Sequence, residues 1–357
     1  MTGTAAHGRG AGEKRPDSAL QRCRRFVVLW IEQSVDYDDR GKTLNSQRKR
    51  PLKLGLIFPE AEWDMGGKTA GWSDYTAMAR LVEDMGIDSI WFVDHLLYRG
   101  EATTIEQQGV RECWSILAGL AAITKRVELG SLVTPTSYRN PAMLAKIVDT
   151  VEEISGGRII LGLGAGWHGD EYRAFGYPFD HLVSRFEEAF TIIRSLLVNG
   201  AVDFDGTYYS ARDCELRPRG PRPNGPPIMV GSTGKRMLGI TVPHVQMWNA
   251  WLCSGRSRAD EVPARRELVD KACHDAGRAP ATLERTVSIQ VDPTGTGKIP
   301  ASMAPDTAVP LSGSPQEVAA GIRDFAEEGI THLQVALVPN TIESIESFGK
   351  ILEELDR

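Results

Sequence analysis

The chain has 357 residues, 41% of them hydrophobic and 25% charged, enough for one large α/β domain or two smaller ones with a sizeable core. Its net charge of −6 hides an asymmetry: residues 1–50 carry 11 Lys and Arg against 6 Asp and Glu, the remainder 30 against 41, and an acidic body argues against a nucleic-acid partner. Five cysteines without a CxxC pair (Cys23, Cys113, Cys214, Cys253, Cys273) argue against a disulfide framework or a zinc site and suit a reducing cytoplasm, and no run is apolar and long enough to span a membrane.

Residues 1–50 are rich in Gly, Arg, Ser and Asp and lack sustained periodicity, so they read as a disordered or non-native extension preceding a folded domain over 51–357. The run from Phe26 to Ile31 follows Arg24-Arg25 but ends at Glu32, too short for the apolar region of an export signal. From residue 52 the chain alternates strand and helix. Strands are expected at 52–58, 89–94, 127–133, 158–163, 227–230, 245–249, 286–291 and 332–337. Helices are expected at about 73–85, 112–123, 140–155, 182–198, 234–241, 258–276, 315–328 and 341–355. Eight βα units predict an α/β fold of the (β/α)8 TIM-barrel type, with a doubly wound sheet as the structural rival.

The stretch 127–166 writes out one βαβ unit. Residues 127–133 and 158–163 are apolar almost throughout, as in parallel strands covered on both faces. Asn140 is a good N-cap and Pro141 suits the first helical position. Leu144, Ile147, Val148 and Val151 share a helix face, and Gly156 can close the helix in a left-handed cap. Phe186, Phe190, Ile193 and Leu197 repeat this spacing in the fourth helix, as do Ile345, Phe348, Leu352 and Leu355 in the last. Two insertions break the rhythm. In 199–226, Asp205-Gly206 reads as a tight turn between Val202-Asp-Phe204 and Thr207-Tyr-Tyr209, and Pro218, Pro221, Pro223 and Pro226 impose an extended path. Residues 292–314, rich in Pro, Gly, Thr and Ser, form a long loop of the kind that often serves as a lid.

Three features carry chemistry. Gly164-Ala-Gly-Trp-His-Gly169 matches GxGxxG after a strand, but Pro178 intrudes and the acidic partner of a dinucleotide fold is missing. Its glycines still allow backbone amides to approach an anion closely, and Gly231-Ser-Thr-Gly234, after the fifth strand, is a second such loop opening a helix. Each alone is as readily a tight turn; together, on one barrel face, they favour an anionic cofactor. Asp94-His95 ends the second strand, where a barrel points side chains into its mouth, and imidazole can exchange a proton near neutral pH. His168 and His181 lie near the mouth, and no HExxH or comparable spacing suggests a metal.

Over residues 52–355 the chain resembles the bacterial luciferase-like monooxygenase superfamily, and within it the oxidoreductases that use the deazaflavin coenzyme F-420. The resemblance rests on Ser89-Ile-Trp-Phe-Val-Asp-His95, Leu129-Gly-Ser-Leu-Val-Thr-Pro135, Tyr138-Arg-Asn-Pro-Ala142, Ser155-Gly-Gly-Arg158, Leu161-Gly-Leu-Gly-Ala-Gly-Trp167 with Glu171, and Gly231-Ser-Thr-Gly234, in that order and spacing. It implies that Asp94 and His95 lie beside the deazaflavin ring, with His95 supplying or removing the proton that accompanies hydride transfer. It implies that Ser131-Leu132 forms the bulge where a non-prolyl cis peptide backs the ring, and that Gly164-Ala165-Gly166 and Gly231-Ser232-Thr233-Gly234 hold the cofactor phosphate. Related sequences often place Thr or Ser where Ala165 stands, and Ala-Asp-Gly-Trp-Asn where this chain has His244-Val-Gln-Met-Trp-Asn249. Glu112 opens the third helix-bearing segment as in relatives, with a substrate or proton role set against simple complementing of a helix N-terminus. The implied protein is a cytoplasmic oxidoreductase acting on a small-molecule substrate, with a homodimer as the common default. The rivals are an FMN monooxygenase fed by a separate reductase, a non-catalytic flavin-binding relative, and a barrel hydrolase unrelated to flavins.

Overall fold

Short apolar runs separated by amphipathic helices can bury both kinds of face only if the strands gather in the middle and the helices surround them. The computed structural model, which describes residues 50–98, 108–295 and 308–357, realises that arrangement. Strands β1 (Lys53–Ile57), β2 (Ser89–Phe92), β3 (Glu128–Ser131), β4 (Ile159–Gly164), β5 (Ile228–Gly231), β6 (Met247–Trp251), β7 (Glu284–Asp292) and β8 (His332–Leu337) pair in parallel with their sequence neighbours. β8 also pairs with β1, Lys53 opposite His332, so the sheet closes and the doubly wound alternative is excluded. Helices α1 (Trp72–Asp84), α2 (Cys113–Ile123), α3 (Pro141–Ser155), α4 (Leu182–Asn199), α5 (Lys235–Thr241), α6 (Val262–Asp275), α7 (Pro315–Glu327) and α8 (Ile342–Asp356) follow the strands in turn. No helix among the described residues is long and apolar enough to cross a membrane.

The local signals explain the helix ends. Asn140 Oδ1 accepts from the Ala142 and Met143 amides, Pro141 takes the first helical position, and Gly156 ends α3 at φ 67°. Leu144, Val148 and Val151 are buried under α3, while Ile147 lies at the edge of that face. The four apolar residues expected to face inward on α4, and the four on α8, are all buried.

Inside the barrel a smaller cluster of Ile57, Trp91, Val93, Leu132, Ile160, Met229 and Met247 fills the axis. Trp91 fits because Gly55 and Gly130, on the two flanking strands, leave room: a Cβ at either would overlap the indole. Its Nε1 donates to Ser89 Oγ at 2.7 Å, which in turn lies 2.7 Å from His332 Nε2. Burial drives the His332 pKa down to about 3, so this imidazole is neutral. Alongside, Asn249 Nδ2 donates to Thr286 Oγ1, Ser288 Oγ and Gln334 Oε1. The barrel is thus plugged, and ligands meet it only at the carboxyl ends of the strands.

The expected extension, residues 1–49, and the 296–307 part of the long loop lie outside the described residues. Arg50, counted with the extension above, bonds through Nε to Asp356 and through its terminal nitrogen to the Gly86 carbonyl, both in the barrel. The hairpin differs from expectation. Its strands are Ala201–Asp205 and Ser210–Glu215, joined through Gly206–Tyr209 instead of turning at Asp205-Gly206. The cause is Glu188 on α4, whose carboxylate accepts the amides of Thr207, Tyr208 and Tyr209 and takes them out of the ladder. A short helix, Gly169–Phe175, between β4 and α4 was not expected; it closes with Gly176 at φ 73°.

Candidate active site

The continuation of β2 delivers Asp94 and His95 to the mouth, and the two side chains then go separate ways. Asp94 is buried, and Arg139 donates to both its oxygens, at 2.6 and 3.0 Å. The same guanidinium bonds Glu112 Oε1. Burial would lower the Arg139 pKa, but the two carboxylates more than reverse this and hold it charged. Glu112 caps α2, its Oε2 accepting the Ser115 amide at 2.6 Å. Burial would raise its pKa, yet the bonds from Ser115 and Arg139 leave it below the ordinary carboxylate value. Glu112 therefore sits as a fixed anion in a structural triad, and both its oxygens are engaged.

His95 belongs to a different cluster. Its Nδ1 lies 2.8 Å from Glu171 Oε2, and the ring packs against Tyr98 at 4.5 Å between centroids. Glu171 is fully buried on the short helix after β4. It also accepts Tyr138 OH at 2.7 Å and the amides of Leu96 and Leu97, and His168 Nδ1 stands 3.1 Å away. Burial pushes the Glu171 carboxyl up, but His95, the Leu96 amide and Tyr138 together bring its pKa to about 2. Burial likewise disfavours charged His95, and the bond and charge of Glu171 more than compensate, raising its pKa above the ordinary 6.5. With Nδ1 committed to Glu171, the Nε2 side of the ring is the one left for a substrate. Glu60 completes this wall: it accepts Tyr98 OH at 3.0 Å, and burial raises its pKa.

The two glycine loops leave neighbouring strands at the same level, since Val230 pairs with Leu163. Part of their glycine content serves the protein itself. A Cβ at Gly164 would overlap the Val133 side chain, one at Gly231 would press against it more lightly, and one at Gly162 would strike the Ser131 carbonyl oxygen. Gly166 is held at φ 86°, where a Cβ would strike Tyr172 OH, and that hydroxyl donates to the Ala165 carbonyl at 3.0 Å. In the second loop Ser232 Oγ accepts the Gly234 amide and Trp248 Nε1 donates to the Ser232 carbonyl, while Thr233, Gly234 and Lys235 are exposed. The non-prolyl cis peptide joins Leu132 to Val133, one bond later than the Ser131-Leu132 step expected. Ser131 is buried and its hydroxyl is tied to Gly162, donating to the carbonyl and accepting the amide.

The luciferase-like monooxygenase family model matches residues 52–294. The chain belongs to this family. Among curated relatives, 5,10-methylenetetrahydromethanopterin reductase of Archaeoglobus fulgidus is 35% identical over 161 residues, 44% of this chain and 43% of the relative. The F-420-dependent glucose-6-phosphate dehydrogenase of Kineococcus radiotolerans is 29% identical over 322 residues, 80% of this chain and 90% of that protein. The chain thus spans under half the length of the first and most of the second. In fold it superposes on an F-420-dependent secondary alcohol dehydrogenase solved with an F-420–acetone adduct, with a TM-score of 0.68 at 17% identity, covering 85% of this chain and 99% of that one.

Within this luciferase-like barrel, the residues singled out from sequence divide into groups. His95 faces the mouth; Asp94 and Glu112 are joined through Arg139; Gly164, Ala165 and Gly166 stand beside Gly231, Ser232, Thr233 and Gly234; the Ser131 side chain points between strands. The hub Glu171 and its donor Tyr138 were visible only as letters of family motifs, and Glu60 and Tyr98 carried no signal at all. His181 lies apart, at φ 49° near Tyr208. Among the described residues His95, His168 and Glu171 bring donor atoms within 4.8 Å of one another, a spacing a metal would accept. Their mutual pairing accounts for the arrangement.

Proposed function

We propose that this chain is an oxidoreductase that binds the deazaflavin coenzyme F-420 and reduces a small carbonyl compound, or oxidises the corresponding alcohol. The carrying observation is His95, paired with the buried Glu171, on the same rim as two adjacent Gly loops. The residues fit such a group: the loops at Gly164–Gly166 and Gly231–Gly234 leave adjacent paired strands, and Ser232 with the exposed Thr233 and Lys235 suits a phosphate. When bound, the deazaflavin supplies the hydride-accepting or hydride-donating carbon. His95 gives the substrate oxygen its proton in the reductive direction and recovers it in the oxidative one, while Glu171 stabilises the imidazolium. Tyr138 and the Leu96 and Leu97 amides hold Glu171 in place for that task.

Fluorescence titration with F-420 and, separately, FMN tests the reading. Tighter binding of F-420 is expected; tight FMN binding without measurable F-420 binding would overturn it. A second titration tests the phosphate loop. Gly231→Asp sets a carboxylate beside the expected phosphate; like charges about 4 Å apart repel by about 4 kcal/mol at an effective dielectric near 20, and solvent and salt at this exposed loop reduce that repulsion. At least about a tenfold loss is expected, with Gly231→Ala separating charge from the close Val133 contact. Unchanged affinity in a folded Asp variant would make the loop a turn only.

A further inference from the structure

Among the described residues Trp167 is the most exposed of the large apolar side chains, at 68%, on the loop that follows β4. Single exposed aromatics are common and need no ligand. This one is placed: its ring stands edge-on to His95 at 5.6 Å and lies 5.1 Å from His168. The indole thus presents its free surface next to the imidazole already assigned the proton. Trp251, 45% exposed at the carboxyl end of β6, adds a second aromatic to the rim.

The charges around His95 restrict what can sit there. Glu171 meets it from the short helix, Glu60 from the segment after β1, and Asp94 is the preceding residue. Arg139, a second cation on this side besides His95, is already bonded to Asp94 and Glu112. An anionic substrate would meet cations already paired with carboxylates, His95 with Glu171 and Arg139 with Asp94 and Glu112, and would lose hydration that those pairs do little to repay. A neutral one meets no such penalty and gains aromatic contact.

We propose that Trp167 is the substrate platform: it stacks the flat, unsaturated part of an uncharged carbonyl compound, or of the matching alcohol, and turns the reacting oxygen toward His95. The inference rests on the oxidoreductase reading above. In the reductive direction bound reduced F-420 would supply the hydride to the carbonyl carbon and be oxidised by two electrons; the C=O π pair would form the O–H bond with the His95 proton, leaving neutral imidazole.

Calorimetric titration of the F-420-loaded protein with 2-acetonaphthone, cyclohexyl methyl ketone and glucose 6-phosphate tests it. The naphthyl ketone is expected to bind most tightly and the sugar phosphate least. Trp167→Ala should weaken the naphthyl ketone at least about fivefold, as loss of an aromatic pair and its contact area predicts, whereas Trp167→Phe should keep most of the affinity. F-420 affinity should be unchanged in both variants. Equal naphthyl-ketone binding in wild type and Trp167→Ala, tighter binding of glucose 6-phosphate, or loss of F-420 binding in the variants would each overturn the proposal. Failure of the wild type to bind F-420 would instead sink the cofactor reading, and the ketone titration of the unloaded protein would still report on Trp167.

Discussion

His95→Asn is expected to slow hydride transfer by about 10²–10⁴-fold, the usual contribution of a positioned proton donor, while F-420 affinity stays near wild type. Asparagine keeps approximate size and a hydrogen bond toward Glu171 but cannot titrate. The pH profile should change with it. Since Glu171 raises the His95 pKa above the ordinary 6.5, wild-type carbonyl reduction should fall as pH rises through that elevated pKa. The variant should show a flat profile over the same range. Single-turnover stopped-flow absorbance of the deazaflavin, with whichever ketone supports turnover, reads both. Wild-type rates in the variant would make His95 a positioning residue and leave His168 or water as the proton source; Glu112 is ill suited, with one oxygen on the Ser115 amide and the other on Arg139.

The barrel was legible because its signals are local. Asn140, Pro141 and Gly156 mark α3 independently of anything far away, and eight apolar runs with eight helical faces leave few architectures. The hairpin was misread where a distant residue decided: Asp205-Gly206 is a good turn on its own, but Glu188 captures the next three amides and moves the connection to Gly206–Tyr209. The short helix Gly169–Phe175 escaped because seven residues are too few for a hydrophobic period to show.

The site was legible in part for the same reason. Residues at strand ends, His95, Gly164 and Gly231, announce their location once the barrel is assumed. What binds them does not. Glu171 lies 76 residues from His95, and nothing in either segment's composition says they touch. Glu112 looked like a candidate acid until Arg139, 27 residues on, proved to be its partner. The glycines misled in a subtler way. Gly164 makes room for Val133 and Gly231 stands in close contact with it, so part of the glycine content that reads as a phosphate cradle serves a contact within the protein.

Glu171→Gln is expected to be the most destabilising single change at this site. The carboxylate is fully buried and takes His95, Tyr138 and two backbone amides, with His168 close by. A carboxamide offers one acceptor where the carboxylate offered two, and turns an N–H₂ toward existing donors, leaving at least one buried polar group unsatisfied. Depression of the Glu171 pKa from 4.5 to about 2 corresponds to about 3 kcal/mol, matching the 3–5 kcal/mol typical for breaking a buried pair. The pH dependence follows from the two shifts. The Glu171 share is present above pH 4.5 and is lost as pH falls toward 2; the His95 share is present below 6.5 and is lost as pH rises through its elevated folded pKa. The difference between wild type and variant should therefore peak between about pH 4.5 and 6.5 and shrink on both sides, keeping on the alkaline side the part due to Tyr138 and the amides. Urea unfolding at pH 5.5 and pH 9 measures this, and Tyr138→Phe, which removes one donor to the carboxylate, should cost about 1.5–3 kcal/mol at both. Equal stability of the Gln variant and wild type at pH 5.5 would mean that Glu171 is protonated in the fold and that His95 does not carry the charge assigned to it.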